Sequence, residues 1–303
     1  MMKNKLFFII TAIAILVICF FIINKPKRDF SEISINTSRK QRIISLAPNI
    51  TEIIFFLREG HQLIGVTNEC NYPIKTKETT KIGSFGQPSI EKIIMLKPDM
   101  LLATGFDSHP IINKFNKLGI TFYNFQANKI SDITETMKKI SKILQSKNNN
   151  KIYKWQKELD KLKGESKKIK RRKPLIFLKL WKNSLMTAGP NTFINEIIEI
   201  AGAENIAKDL NYAYPVVSIE YLLLKKPDII ITAYPMEKSE IKQINGWNSL
   251  KAVKNNNVYS YKNPDILLRP GPRILDGIKN LQKIIFNFDN SDNNECPCQQ
   301  SCL

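Results

Sequence analysis

Ser89-Ile90-Glu91 leading to Lys97-Pro98-Asp99, and Ser218-Ile219-Glu220 leading to Lys226-Pro227-Asp228, are one phrase written twice at a constant shift of 129 residues. Each copy runs into an apolar stretch, Met100 to Ala103 and Ile229 to Thr232, of the length expected for a buried parallel strand. Each copy therefore reads as a helix, a Pro-Asp turn and a strand. At the same shift Phe85 matches Tyr214, so an aromatic ring lies six residues before each carboxylate. A phrase repeated in this way predicts two lobes of related build.

Working outward, Arg42 to Leu46 reads as a strand, Asn49 to Leu57 as a capped amphipathic helix and Leu63 to Val66 as the next strand. In the second half Leu175 to Leu178 is strand-like, Thr192 to Ile200 carries apolar residues at helical spacing, and Gly202 is a stop signal. Strands alternating with helices predict parallel sheets and an α/β fold. Between the halves, Ser131 to Leu144 and then about Asn150 to Lys170 are rich in helix formers, with Ile152, Trp155, Leu159 and Leu162 at apolar positions. A helix of about 20 residues spans ~30 Å, enough to run behind both lobes and hold them apart. The expected organisation is an N-terminal segment at 1–28, a lobe at 41–147, a backbone helix at 148–172, a second lobe at 173–287 and a polar tail without fixed structure at 288–303. Each lobe is expected to have its own core, with ligand in the cleft between them.

The formal net charge is +19, but the 46 Lys and Arg are spread along the chain with Asp and Glu among them. No aromatic-interleaved basic stripe appears, so nucleic acid is not an expected partner. The dense run Lys167 to Lys173 reads as a helix end, where cations suit the dipole. Leu6 to Ile23 is apolar except for Thr11 and would span about 27 Å as a helix. It continues through Cys19 to Ile23 where a cleavable signal would stop, which favours a retained membrane anchor at residues 6–23, with a lipid on Cys19 as the alternative. Cys70 stands alone in the body, and Cys296, Cys298 and Cys302 fall in the tail. Their short spacing suits a soft metal, a disulfide or a lipid, but without a histidine it gives no metal site.

Several blocks in order resemble the helical-backbone type of periplasmic substrate-binding protein, in the iron-siderophore, haem and vitamin B12 group and nearest its cobalamin binders. They are Arg42-Ile43-Ile44-Ser45-Leu46-Ala47-Pro48-Asn49-Ile50-Thr51-Glu52, Gly65-Val66-Thr67-Asn68-Glu69-Cys70-Asn71-Tyr72-Pro73, the stretch Ser184 to Phe193, and Arg269-Pro270-Gly271-Pro272-Arg273. The resemblance implies the substrate-binding component of an ABC importer. Such a component takes up a cobalt corrinoid, or in the alternative haem or a ferric siderophore, and delivers it to the permease subunits. It also implies an extracytoplasmic location. Glu91 and Glu220 match the family's two carboxylates that dock on the transporter; as plain chemistry both also suit the start of a helix capped by Ser89 and Ser218. Phe85, Tyr214, Trp181 and Tyr72 match aromatic positions against the ligand, and flat rings suit the faces of a macrocycle; a hydrophobic staple or ordinary core is the alternative for Phe85, and packing of the turn at Pro73 the alternative for Tyr72. Asp265 and Arg269 match polar positions that reach the ligand, with a mutual salt bridge as the structural alternative, and Arg273 is expected to pack or cap locally. Glu69 departs from the aromatic residue of some cobalamin binders; it is expected to be solvated and Cys70 buried.

The rival outside the class is an enzyme, such as a metal chelatase on a similar frame. His61 and His109 are the two histidines and both fall at turns, which suits surface residues better than ligands. The chain has no Gly-x-Ser-x-Gly elbow and no phosphate-binding Gly-Lys-Ser/Thr loop. Nothing in it calls for bond-making chemistry, so a binding protein without its own cofactor is expected.

Overall fold

The structure, a computed structural model, describes residues 41–106, 110–168 and 172–293. The expected anchor at residues 6–23, Cys19, His109 and the tail cysteines Cys296, Cys298 and Cys302 lie outside the described residues. In chain order the strands are β1 (Ile43–Ser45), β2 (Leu63–Val66), β3 (Thr80–Lys81), β4 (Gly83–Ser84), β5 (Gln87–Pro88), β6 (Met100–Thr104) and β7 (Thr121–Phe125) in the first half. They are followed by β8 (Leu175–Lys179), β9 (Glu204–Asn205), β10 (Ile229–Thr232) and β11 (Val258–Ser260). Two separate parallel sheets result, ordered β3-β2-β1-β6-β7 and β11-β10-β8-β9. The order β2-β1-β6-β7 recurs as β9-β8-β10-β11, so the repeat seen in sequence is a repeat of topology. Strands β4 and β5 form a small antiparallel hairpin that has no counterpart among the named strands of the second half.

The duplicated phrase is explained almost residue by residue. Ser89 and Ser218 cap the helices Ile90–Met95 and Ile219–Lys225, their side chains accepting from the Lys92 and Tyr221 amides. Ile93 and Leu222 fill the inner face and are fully buried. Lys97 and Lys226 end the helices in left-handed backbone, at φ 46° and 52°. Asp99 and Asp228 then clamp the entrance of the central strand. The Asp99 carboxylate accepts from the Arg42 amide at 2.7 Å and the Asp228 carboxylate from the Leu175 amide at 2.8 Å. In return the Asp99 and Asp228 amides donate to the Arg42 and Leu175 carbonyls.

Between the sheets lies the helix Asn149–Lys167, its buried side Ile152, Trp155, Leu159 and Leu162 as the spacing predicts. It packs against Ile130–Ile143 on one side and Phe193–Ala201 on the other. Phe193–Ala201 is capped by Thr192 and stopped by Gly202 in left-handed backbone. Period-two alternation divides each strand between two surroundings. Ile43, Leu102, Ile176 and Ile229 face the helices between the sheets, whereas Ile44 and Leu101, or Phe177 and Ile230, face outward layers.

Three expectations are corrected. One hydrophobic core runs through both lobes and the backbone helix, with a satellite on the outer face of each sheet, in place of two separate cores. The helix at Pro48 begins from Ala47 with no side-chain cap and relies on proline at its first turn. The tail expected from residue 288 is helical at first, because Ile274–Asn293 continues through it and buries Phe288 and Asp289.

Candidate functional site

The residues singled out in sequence for ligand contact all lie in segments that follow the carboxyl ends of sheet strands, where open parallel sheets place ligand sites. Phe85 sits at the tip of the β4-β5 hairpin, which Gly86 turns at φ 85°. The Phe85 amide donates to the Glu69 carboxylate at 2.7 Å, and its ring meets Phe106 edge to face at 6.3 Å. Glu69 is thus exposed, as expected, but ties down the hairpin that carries Phe85. Phe106 in turn meets Phe122 at 6.0 Å, so an aromatic row backs the exposed Phe85 ring.

The segment after β11 reaches the first lobe. Arg269 donates to Glu52 at 3.1 Å, to the Asn71 side chain at 2.8 Å and to the Glu69 carbonyl at 3.1 Å, and pairs with Asp265 at 2.9 Å. Asp265 also accepts from the Asn71 side chain at 3.4 Å. Pro270 keeps Arg269 in extended backbone just past the helix Asp265–Leu268. Arg273 was expected to act locally; it instead grips Glu52 across the lobes with two donors at 2.8 and 2.6 Å, and lies 4.0 Å from the centre of the Tyr72 ring. Phe85, Tyr72, Asp265 and Arg269 therefore belong to one chain of contacts running through Glu69, Asn71 and Arg273. Glu52, the buried carboxylate at its centre, carries no signal in sequence beyond closing the block Arg42 to Glu52.

Trp181 and Tyr214 stand apart in the second lobe. Tyr214 belongs to a loop laid antiparallel along 185–189, with the Thr187 amide on the Pro215 carbonyl and the Gly189 amide on the Ala213 carbonyl. Burial pushes the Tyr214 phenol above its usual range although the residue as a whole stays 48% exposed. Trp181 is held by its backbone: the buried Lys179 ammonium donates to the Trp181 and Lys182 carbonyls and to the Tyr234 hydroxyl at 2.6 Å. Burial pulls Lys179 down to about 8 and pushes Tyr234 up to about 12. Sequence pattern had no means of finding Lys179, which looks like any other strand-end lysine. A concavity of about 440 Å³ lined by Leu210, Tyr212, Pro215, Val216 and Tyr221 borders the Ser218 cap and lies wholly within the second lobe.

Glu91 and Glu220 project from the first turns of their helices, fully exposed. Hydrogen bonds from its own amide and then from Ser89 hold the Glu91 carboxyl below the usual range, and bonds from Ser218 and then its own amide do so for Glu220. Both are anionic at neutral pH, and among the described residues neither has a salt-bridge partner. Cys70 is buried, as expected, with its sulfur 3.1 Å from the Thr51 hydroxyl and 3.2 Å from that of Thr67. The described residues contain no group of three or more acidic, His or Cys side chains able to hold a metal, and no helix long and apolar enough to cross a membrane.

Two like α/β lobes on a stiff helix, with aromatic loops at the carboxyl ends of both sheets, define a two-lobed binding protein of the helical-backbone type. The chain belongs to the periplasmic binding protein family, whose model matches residues 43–264. It is 30% identical over 249 residues to the vitamin B12-binding protein of Vibrio cholerae, covering 79% of this chain and 87% of that one. It is 28% identical over 254 residues to an uncharacterized ABC transporter substrate-binding lipoprotein, YvrC, of Bacillus subtilis, covering 81% and 80%. The crystal structure of the periplasmic vitamin B12 binding protein BtuF of Vibrio cholerae superposes with a TM-score of 0.69 at 28% identity, over 82% of this chain and 98% of that one.

Proposed function

We propose that this chain is the substrate-binding component of an ABC importer, capturing cobalamin or a related corrinoid outside the cytoplasm and delivering it to the permease subunits. The observation that carries the reading is the likeness to vitamin B12-binding relatives across both lobes, together with exposed aromatic side chains on the loops of both. The rings of Phe85, Tyr72, Trp181 and Tyr214 supply apolar area at low entropic cost, and they suit the faces of a corrin. Asp265 and Arg269, on the segment after β11, supply polar groups tied through Asn71 and the Glu69 carbonyl to the loops that carry Tyr72 and Phe85. The protein brings no catalytic machinery of its own; the corrinoid is cargo. Glu91 and Glu220 dock the loaded protein on the permease. The segment 6–23, or a lipid on Cys19, tethers it to the outer face of the membrane, and the lipoprotein relative favours the lipid.

Calorimetric titration of the purified full chain with cobalamin, cobinamide, haem and ferric siderophores tests this. Binding of cobalamin or cobinamide, with haem and siderophores at least tenfold weaker, is expected. Preference for haem or a siderophore would move the ligand within the family, and silence toward all four would end the receptor reading.

A further inference from the structure

The duplicated helices carry a second repeated feature that the fold does not use. At the shift of 129, Ile94-Met95 matches Leu223-Leu224. Met95 is 79% exposed and Leu224 77%, Ile94 43% and Leu223 37%, so matching positions are exposed to matching extents. Capping, core filling, termination and strand clamping are already assigned to Ser, Ile or Leu, Lys and Asp of the same phrase. The exposed carboxylate and the exposed apolar pair are what remain. Residues i, i+3 and i+4 share a helix face, so Glu91, Ile94 and Met95 form one patch, and Glu220, Leu223 and Leu224 form its copy. Single exposed apolar side chains such as Leu118 or Phe286 need no explanation, but the same composite patch built twice does.

Resting on the receptor reading above, we propose that each patch is a mixed docking surface. It seats on one of two like membrane subunits of the importer, with the Met95 or Leu224 side chain in an apolar recess beside the cation that receives Glu91 or Glu220. The chemistry selects this occupant over others. A second copy of the chain meeting patch to patch would bring two exposed carboxylates together, and a lipid surface offers no fixed cation for them. Two equivalent patches on one chain require two equivalent sites on the partner. The carboxylates set orientation and encounter, while desolvating the apolar pair supplies contact energy.

The test uses the full chain loaded with cobalamin and its importer complex in nanodiscs, titrated to half-maximal stimulation of ATP hydrolysis. Met95→Ser with Leu224→Ser is expected to raise the half-maximal concentration about thirtyfold, each single change contributing part, from hot-spot losses of roughly tenfold or less per side chain. Thermal midpoint and cobalamin affinity should stay at wild-type values, and Met95→Gln with Leu224→Gln should repeat the effect. Glu91→Ala with Glu220→Ala is run in parallel. If the Glu pair abolishes stimulation and the Ser pair leaves it unchanged, the apolar proposal fails while the docking reading stands. If neither pair changes it, both fail. Loss of cobalamin binding in the wild type would instead strike the ligand assignment. Self-association in sedimentation, or binding to protein-free phosphatidylcholine vesicles, that is abolished by the Ser pair would assign the patch to a second copy or to lipid and overturn the proposal.

Discussion

At the residue scale, the sequence exposed what is repeated or aromatic and hid what is singular. Glu91 and Glu220 stand out in sequence because a constant shift marks them, and Phe85 and Tyr214 because they keep the same offset; the fold places the first two at exposed helix starts and the rings of the second two at the surface. Glu69, Glu52 and Arg273 act through partners about 200 residues away or on another loop, and no local pattern signals such pairing. Lys179 is the clearest case, since burial at a strand end changes the chemistry of an ordinary lysine. An unfolded lysine titrates near about 10.4, whereas Lys179 in the folded chain sits at about 8. Below about pH 8 both states hold the proton and Lys179 gives stability no slope. Between about 8 and 10.4 the unfolded chain holds a proton that the folded chain lacks, so the Lys179 contribution to stability rises with pH. Urea midpoints at pH 7.5 and 9.5 are therefore expected to show wild type gaining on Lys179→Met at the higher pH. A difference between the two proteins that does not change with pH would refute the assignment.

At the element scale, the strands that bury both faces were read from sequence nearly to the residue: Leu63–Val66 and Ile229–Thr232 were placed at their observed bounds. The short strands β3, β9 and β11 and the β4-β5 hairpin do not stand out, because two or three residues carry too little periodicity, and the five-residue edge strand β7 does not because only Phe125 in it is buried and its apolar run is broken by Asn124. The two Lys-Pro-Asp turns were recognised as turns, but their left-handed lysines were not, since that position usually holds glycine. Left-handed backbone costs a residue with a Cβ roughly 1–2 kcal/mol, part of which glycine returns through its freedom in the unfolded chain. Lys97→Gly and Lys226→Gly are therefore each expected to stabilise the protein by about 0.5–1 kcal/mol, additively, in urea unfolding. Loss of stability in either would mean that the lysine side chain, not the backbone it occupies, holds the turn.

At the scale of the whole molecule, two lobes invite the expectation of two folding units, and the packing argues against it. A single core passes from the first sheet through Asn149–Lys167 into the second, so neither lobe can lose its inner layer without exposing the other's. Polar ties follow the same route. The Trp155 indole donates to the Pro272 carbonyl at 2.7 Å, the Ile130 amide to Glu196 at 2.8 Å, and Glu52 receives both Arg269 and Arg273. Glu52 is 2% exposed at its side chain, and removing one member of a buried ion group leaves the others uncompensated at a cost of about 3–5 kcal/mol. Unfolding of the body should therefore be one cooperative step in which tryptophan fluorescence and far-ultraviolet circular dichroism coincide. Glu52→Ala should lower that step by about 3–5 kcal/mol while leaving it single, because the shared apolar core still couples the lobes. Two separated transitions in the wild type would show the lobes to be independent. A transition that splits only in Glu52→Ala would show that the ion group, rather than the core, makes them one.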